Sequence, residues 1–342
     1  MGQKQYTVGI IGATGVVGQR FLEVLAERDF PIGTLRLYAT GRSAGKRIAY
    51  RGQELEVQEL NADSFKGLDL ALFSAGTDAS KDYCWKAAEA GALVVDNSNA
   101  WRMDPRVPLV VPEVNAGALK NHPGLVANPN CSTIQMVVAL WPLHQKATLE
   151  RVVVSTYQSV SGTGIDAMNE LDAQVKAEAT GAPPVPPKIY PTTIAFNCLP
   201  HIDVFDADGN TMEEMKMVRE TRKIFGTPEL PVTATCVRVP VRISHSEAVN
   251  AQFRDELTPD QARRILSEAP GVQVIDEPAK NRYPLPRDAA GHDDVFVGRI
   301  RRDTSHPRAL NLWVVADNVR KGAATNAVQI AEHVFGVTPK KR

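Results

Sequence analysis

The chain has 342 residues, 43% of them apolar, and its 39 Lys+Arg are balanced by 39 Asp+Glu. That length can bury a sizeable core and divides more naturally into two domains than one. Zero net charge gives no overall field for nucleic acid or an anionic membrane, so any anion must be held by local residues.

The opening residues MGQKQYTVGIIGATG lack a charged segment followed by a long apolar stretch, so no signal peptide is expected. Gly2 follows Met1, but Tyr6 stands where an N-acylation signal needs Ser or Thr. No apolar run approaches the roughly 18 residues of a membrane span. The four cysteines show no CxxC spacing and form no disulfide framework, which fits a reducing, cytoplasmic setting. No metal is expected.

In chain order, Tyr6–Ile11 reads as a buried strand and Val16–Glu27 as a helix with Val17, Phe21, Val24 and Leu25 on one side. Thr34–Ala39 and Leu68–Ser74 read as strands, the second followed by a helix near Ser80–Ala90. Ala92–Asp96, Leu109–Val111 and Gly124–Ala127 add short apolar runs. Strands alternating with helices imply a parallel, doubly wound sheet of the Rossmann-like α/β class. From Ser132 a helix runs to His144, then a strand spans Arg151–Gln158 and a helix Ile165–Ala179. The Pro-rich stretch from Gly181 cannot be helix interior. Thr211–Phe225 reads as a charged helix. Val232–Val241, Ala248–Arg254, Val272–Ile275, Val295–Arg301 and Leu310–Val315 read as strands with few helices between them. They imply a second, α+β domain with a mixed or antiparallel sheet. Gly322–Phe335 returns to helix.

Gly12, Gly15 and Gly18 sit where the first strand meets the first helix. Glycines there permit a tight turn and close approach of backbone N–H groups to a pyrophosphate. Gly12, Thr14, Gly15, Val16, Val17 and Gly18 are therefore candidate cofactor contacts; the alternative is an ordinary turn. The second strand is followed by Thr40-Gly41-Arg42-Ser43, with an arginine and no carboxylate. This favours a 2′-phosphate, hence NADP, held by Arg42 and Ser43. Arg42 alone would otherwise pass for a solvated loop residue.

Cys131 follows Asn128-Pro129-Asn130 and opens an apolar-periodic helix. Unpaired N–H groups and the helix dipole there stabilise a thiolate, the nucleophilic form. Cys84, Cys198 and Cys236 read as small buried hydrophobes.

The segments GATGVVG, GRSAG, VVDNSNAWR, LVVPEVN, NPNCSTIQM, STYQSVSGTG, EEMKMVRETRKI, TCVRVPVRISHSE, FVGRIRRD and WVVADNVRKGAA follow one another over nearly the whole chain. In that order they resemble the bacterial aspartate-β-semialdehyde dehydrogenase family. PNCST, QxxSG and RxxxxxxHSE are far more specific than the glycine loop.

The resemblance implies NADPH-dependent reductive dephosphorylation of L-aspartyl-4-phosphate to L-aspartate 4-semialdehyde, with release of phosphate. The route passes through a thioester on Cys131 and serves lysine, threonine, methionine and isoleucine biosynthesis. It assigns proton handling to His245, substrate orientation to Gln158, and the substrate carboxylate to Arg238. Glu213 is matched to the substrate ammonium. Arg102, Asn130 and Lys216 are matched to phosphate, and Ser161, Gly162 and Asn318 to the cofactor. Periodicity alone would place Glu213 and Lys216 on a solvated helix face.

The resemblance also implies a homodimer or tetramer. Domains are expected at 1–131, joined by about 322–342, for NADP binding and at 132–321 for catalysis and dimerisation. Roles for Gly41 and Asn99 stay open. Arg238 and His245, seven apart, would face opposite sides of an unbroken strand, so a shared pocket requires a bend between them.

The rivals are an N-acetyl-γ-glutamyl-phosphate reductase, a glyceraldehyde-type phosphorylating dehydrogenase, and a non-catalytic nucleotide-binding regulator. The enzyme readings predict rapid alkylation of Cys131 that substrate slows. Mass mapping of the alkylated chain checks this, and an inert Cys131 favours the regulator.

Overall fold

The computed structural model describes residues 4–339. The N-acylation reading at Gly2 and the outermost residues of the first expected domain, 1–3 and 340–342, lie outside the described residues. The chain forms two compact units, residues 1–130 with 323–342 and residues 131–322.

In the first unit, β1 (Tyr6–Ile11) leads into α1 (Val16–Glu27), and β2 (Ile32–Ala39) follows. Next come β3 (Arg47–Tyr50) and β4 (Gln53–Glu59), a hairpin absent from the expected elements. Its strands are polar and largely exposed, and it turns through Arg51 and Gly52, both at positive φ. That pair of left-handed residues matches the twist of a tight hairpin. The unit continues with β5 (Leu70–Phe73), α2 (Thr77–Glu89), β6 (Leu93–Asp96), α3 (Pro112–Asn115) and β7 (Leu125–Ala127). Leu109–Val111, read as a short apolar run, contributes only a bridge from Leu109 to Ala127 before Pro112 opens α3.

The sheet order is β3-β4-β2-β1-β5-β6-β7, and every pair except β3–β4 is parallel. The chain leaves β1 toward β2 on one side and returns to β5 on the other. The carboxyl end of β1 is therefore the switch point, where such sheets bind ligands. Gly12 lies there at φ 89°, and a Cβ on it would sit 2.3 Å from the Ser74 carbonyl oxygen just after β5.

In the second unit, α4 (Cys131–Ala147), β8 (Leu149–Gln158) and α5 (Ile165–Thr180) are followed by the irregular Pro-rich segment. Buried side chains of α5 satisfy that segment's backbone. Glu170 accepts from the N–H groups of Lys188 and Ile189, and Gln174 from those of Ile194 and Ala195. Then come α6 (Met212–Phe225), β9 (Val232–Arg238), β10 (His245–Phe253), α7 (Pro259–Ser267), β11 (Val272–Val274), α8 (Pro286–Ala289), β12 (Val295–Arg302) and β13 (Ala309–Ala316).

The second sheet runs β11-β12-β13-β10-β8-β9 and is mixed. β8 pairs parallel with β9 and antiparallel with β10. Helices α4, α6 and α7 pack against it. Along β10, His245, Glu247, Val249, Ala251 and Phe253 are buried, whereas Ala248, Asn250 and Gln252 on the alternate face are half-buried. One face of this sheet thus forms the core and the other stays accessible.

After a π-helical turn at Arg320–Ala324, α9 (Thr325–Phe335) joins the core of the first unit. The Phe335 ring stacks on Tyr6 at 4.4 Å, and the buried Glu332 carboxylate takes a two-point bond from Arg28 at 2.8 and 2.6 Å. Such bidentate geometry suits a buried pair.

Gly18 packs so closely on the glycine loop that a Cβ would stand 2.2 Å from the Gly12 carbonyl oxygen. Gly18→Ala should therefore destabilise the chain by roughly 1–3 kcal/mol. Urea denaturation checks this, and a variant as stable as the parent contradicts the packing.

Candidate active site

In the second unit, the carboxyl ends of the parallel pair β8 and β9 lie beside the amino end of the antiparallel β10. Gln158 is registered with Arg238, and Tyr157 with Ser246. Gln158, Arg238 and His245 are therefore brought to one edge of the sheet. The expected bend is present: β9 stops at Arg238, β10 begins at His245, and Ser244 between them adopts a left-handed φ of 76°. The strand expected over Val232–Val241 stops at Arg238, ahead of Pro240, which cannot continue a ladder, and the strand expected over Ala248–Arg254 begins earlier, at His245.

Gly162 shows that Arg238 and His245 flank one space. A Cβ there would lie 3.2 Å from Arg238 Nη1 and 3.4 Å from His245 Nε2.

Cys131 is the first residue of α4, whose first turn carries no acidic side chain. A Cβ on Gly322 would come within 2.9 Å of Cys131 Cβ, so Gly322 makes room for the backbone that carries the thiol. One residue on, Ser132 Oγ accepts from Gln158 Nε2 at 2.6 Å, and the same Nε2 reaches Glu213 Oε1 at 3.2 Å. Gln158 thereby ties the start of α4 to α6.

Glu213 is buried despite the charged sequence around it, because it lies in the first turn of α6 where that helix packs on α4. Lys216 Nζ lies 3.1 Å from Glu213 and 2.7 Å from Asp203. Burial pulls the Lys216 pKa down, but the two carboxylates outweigh it and hold the ammonium above its ordinary range. The solvated-face reading of α6 therefore fails at Glu213 and Glu220, both buried.

Arg238 is buried and donates from Nη1 to the Ser159 carbonyl at 2.6 Å. Its Nε has no partner among the described residues. The Tyr190 ring, delivered by the Pro-rich segment, faces the guanidinium at 6.0 Å. Such a cation keeps donors for a carboxylate.

His245 is fully buried. Its Nδ1 accepts from the Ser159 N–H at 3.0 Å, and Nε2 has no partner among the described residues. Burial and then the Arg238 cation disfavour a charged ring, and Glu213 and the Ser244 backbone offset them only in part; the pKa is pushed down to about 3. Asn318 Oδ1 accepts from Ser159 Oγ, Ser161 Oγ and the Ser244 N–H. Ser161 and Asn318 thus sit in a network beside His245.

The remaining candidates belong to the first unit. Among the described residues, no side chain caps α1 and its first turn holds no carboxylate, so a phosphate has no competitor there. Gly12 at positive φ and the tightly packed Gly18 complete a fit to a dinucleotide pyrophosphate. Thr14, Val16 and Val17 are half-buried around the turn.

Arg42 is exposed and Ser43 half-buried in the short helix after β2. Gly41 lies against Glu59, at the end of β4; a Cβ would be 3.0 Å from its carboxylate. Arg102 donates to the carbonyls of Asn128 and Asn97, and Asn128 is itself held by Asn326. Asn130, also buried, ends this unit. Asn99 accepts from the Thr77 hydroxyl at 2.7 Å.

Sequence reasoning missed Ser132, Ser159, Tyr190 and Gly322. Neither a backbone N–H nor a missing side chain leaves a pattern in sequence. Cys84 and Cys236 are buried, and burial raises both thiols. Cys198, expected to be buried, is exposed, next to the buried Leu199 of the same loop. Among the described residues, no cluster could hold a metal and no helix is long and apolar enough to cross a membrane.

Residues 7–122 match the semialdehyde dehydrogenase NAD binding domain family, and residues 140–321 the semialdehyde dehydrogenase dimerisation domain family. The chain is 56% identical to aspartate-semialdehyde dehydrogenase of Aquifex aeolicus over 330 residues, covering 96% of this chain and 97% of the relative. It is 54% identical to that of Legionella pneumophila over 332 residues, covering 96% and 95%. Among solved structures, aspartate semialdehyde dehydrogenase II of Vibrio cholerae complexed with ASA superposes with a TM-score of 0.95 at 46% identity, covering 98% and 99% of the two chains. The Candida albicans enzyme with NADP superposes with a TM-score of 0.75 at 26% identity, covering 98% and 100%.

Folding holds the His245 ring neutral, so its proton affinity is lower in the folded state. The corresponding stability is present above the unfolded pKa of about 6.5 and is lost as pH falls toward about 3. One such proton gives a slope of about 1.4 kcal/mol per pH unit. His245→Gln should flatten the acid limb of a stability-versus-pH curve from chemical denaturation. An unchanged slope contradicts a buried neutral ring.

Proposed function

This chain belongs to the aspartate-semialdehyde dehydrogenase family, and we propose on that footing that it interconverts L-aspartyl-4-phosphate and L-aspartate 4-semialdehyde with NADP. The observation that carries the mechanism is the convergence of Gln158, Arg238 and His245 at one sheet edge, with α4 opening on Cys131 tied to it through Ser132. Thiolate attack from Cys131 on the acyl phosphate gives a thioester and frees phosphate. NADP, when bound, supplies or accepts the hydride.

Gln158, pinned by Ser132 and Glu213, orients the acyl group. Arg238 grips the α-carboxylate with the donors its Ser159 bond leaves over, and Glu213 faces the ammonium. His245 presents Nε2 to the reacting oxygen. Arg102, Asn130 and Lys216 are assigned to phosphate. Ser161 and Gly162 shape the turn that carries the nicotinamide side of the site, with Asn318 bonded to it.

The glycine loop from Gly12 to Gly18 suits the pyrophosphate, and Arg42 with Ser43 suits a 2′-phosphate. We assign cofactor binding to the first unit and catalysis with dimerisation to the second. The half-buried face of the second sheet, around Ala248, Asn250, Gln252 and Trp313, is the surface offered to a second copy. The product feeds lysine, threonine, methionine and isoleucine synthesis, and a cytoplasmic setting keeps the thiol reduced.

NADPH formation from aspartate semialdehyde, followed with and without phosphate, tests this reading. Activity should require phosphate, vanish in Cys131→Ala, and fail with N-acetylglutamate semialdehyde. Activity that persists without phosphate or without Cys131 contradicts the mechanism. Preference for the N-acetylated substrate would transfer the assignment to its rival.

A further inference from the structure

We propose that Glu247 is a positioning residue for the thiol: buried behind the site, it pairs with Gln135 of α4 and so sets that helix, which opens on Cys131, against the start of β10. This rests on the functional reading above and adds a residue that touches neither substrate nor cofactor.

The second sheet presents two polar rows to the helices that cover it. The front row holds Gln158 and Arg238, registered side by side, with His245 at the head of β10. The second row lies two residues behind on each strand. There Thr156 of β8 is registered with Glu247 on one side and with Cys236 of β9 on the other. Residues two apart on a strand share a face, so both rows meet α4 and α6. The reaction described above uses only the front row.

Glu247, Thr156 and Gln135 are fully buried. Neither Glu247 carboxyl oxygen has a partner among the described residues, and the same holds for Gln135 Oε1 and Thr156 Oγ1. Gln135 Nε2 donates to the His245 carbonyl at 3.4 Å, which ties α4 to the first residue of β10. Gln135 stands one helical turn after Cys131.

As an anion Glu247 could only accept hydrogen bonds, and an amide oxygen can only accept as well. A charge sealed in that company is strongly disfavoured. One proton on Glu247 resolves the conflict. Its O–H then donates to Gln135 Oε1, and the Thr156 hydroxyl, directly across the strand pair, donates to the carboxyl. Burial pushes the carboxyl pKa well above its ordinary range, Gln135 offsets this only in part, and no cation acts on it. The titratable groups nearby are His245, two residues away on the same face, and Cys236, whose thiol burial keeps protonated.

Gln135 is thereby held from two sides, by the β10 backbone and by Glu247. A slide of α4 would move the thiol relative to Gln158 and Arg238. Displacing a reacting group by about 1 Å can cost much of its rate.

Three variants test the clamp. Glu247→Gln keeps a donor and an acceptor without charge. Glu247→Leu fills similar space without either, and Gln135→Met removes the other half of the pair. Glu247→Gln should keep a kcat close to the parent's. Glu247→Leu and Gln135→Met should each lower kcat by about tenfold or more, with little change in the KM for aspartate semialdehyde. The double variant should be no slower than the slower single one. A Leu variant as fast as the parent, or a Gln variant as slow as the Leu variant, overturns the inference. Should Glu247→Leu not fold, a parental kcat in Gln135→Met overturns it equally.

Urea denaturation of the parent and Glu247→Gln tests the proton without substrate. Above the unfolded glutamate pKa of about 4.3, folding the parent takes up one proton that the Gln variant does not need. Rising pH should therefore weaken the parent relative to the variant, by about tenfold in the unfolding equilibrium constant per pH unit from about pH 5 to about pH 7. Every other titrating group is common to both proteins and cancels. A ratio independent of pH means that Glu247 is charged when folded and overturns the clamp, even in a fully active protein. The expected ratio in a protein without phosphate-dependent activity overturns the functional reading instead.

Discussion

The antiparallel pairing of β10 with β8, alongside the parallel pairing of β9, is the constraint on which the site depends. It sets the first residue of β10 beside the last residues of β8 and β9. A parallel β10 would carry His245 to the far end of a nine-residue strand, about 30 Å away. No side-chain adjustment could recover that distance. The same pairing buries His245 among strands and under α4, which depresses its proton affinity and fixes its ring.

Collecting charges at a buried edge is costly unless each has a partner. Glu213 is met by Lys216 and Gln158, Lys216 also by Asp203, and Arg238 by the Ser159 carbonyl and the Tyr190 face. The chain accepts local strain to achieve this. Ser244 sits in the left-handed region at a cost of about 1–2 kcal/mol. In that conformation its N–H bonds Asn318, and His245 enters the strand on the buried face. Strain of this kind beside a reactive group fits a site whose surroundings over-determine it.

Much of this was legible in sequence where one face of an element is uniformly apolar. β1 and α1 fall at their expected bounds, and Cys131 is recognisable as a thiol at a helix start. The β3–β4 hairpin was overlooked although Ile48 and Tyr50, then Leu55 and Val57, alternate toward the core, because the charged residues between them dilute that short rhythm. α7 was overlooked although Thr258, Pro259 and Gln261 form a capping box with proline at the first position. Burial of Glu213 depends on α4 packing against α6, which no local window contains. Resemblance named Arg238 and His245, and only the turn at Ser244 shows how residues seven apart share one space. The Ser159 N–H belongs to the backbone and has no sequence signal at all.

The central claim is a covalent one, that acyl transfer passes through sulfur at the start of α4. Mixing the protein with aspartate semialdehyde and NADP without phosphate should leave the thioester stranded. Rapid acid quench followed by peptide mass mapping reads it directly. The account predicts an aspartyl adduct on the peptide containing Cys131, discharged when phosphate is added before the quench. Absence of the adduct, or its appearance on the exposed Cys198 instead, would contradict the account.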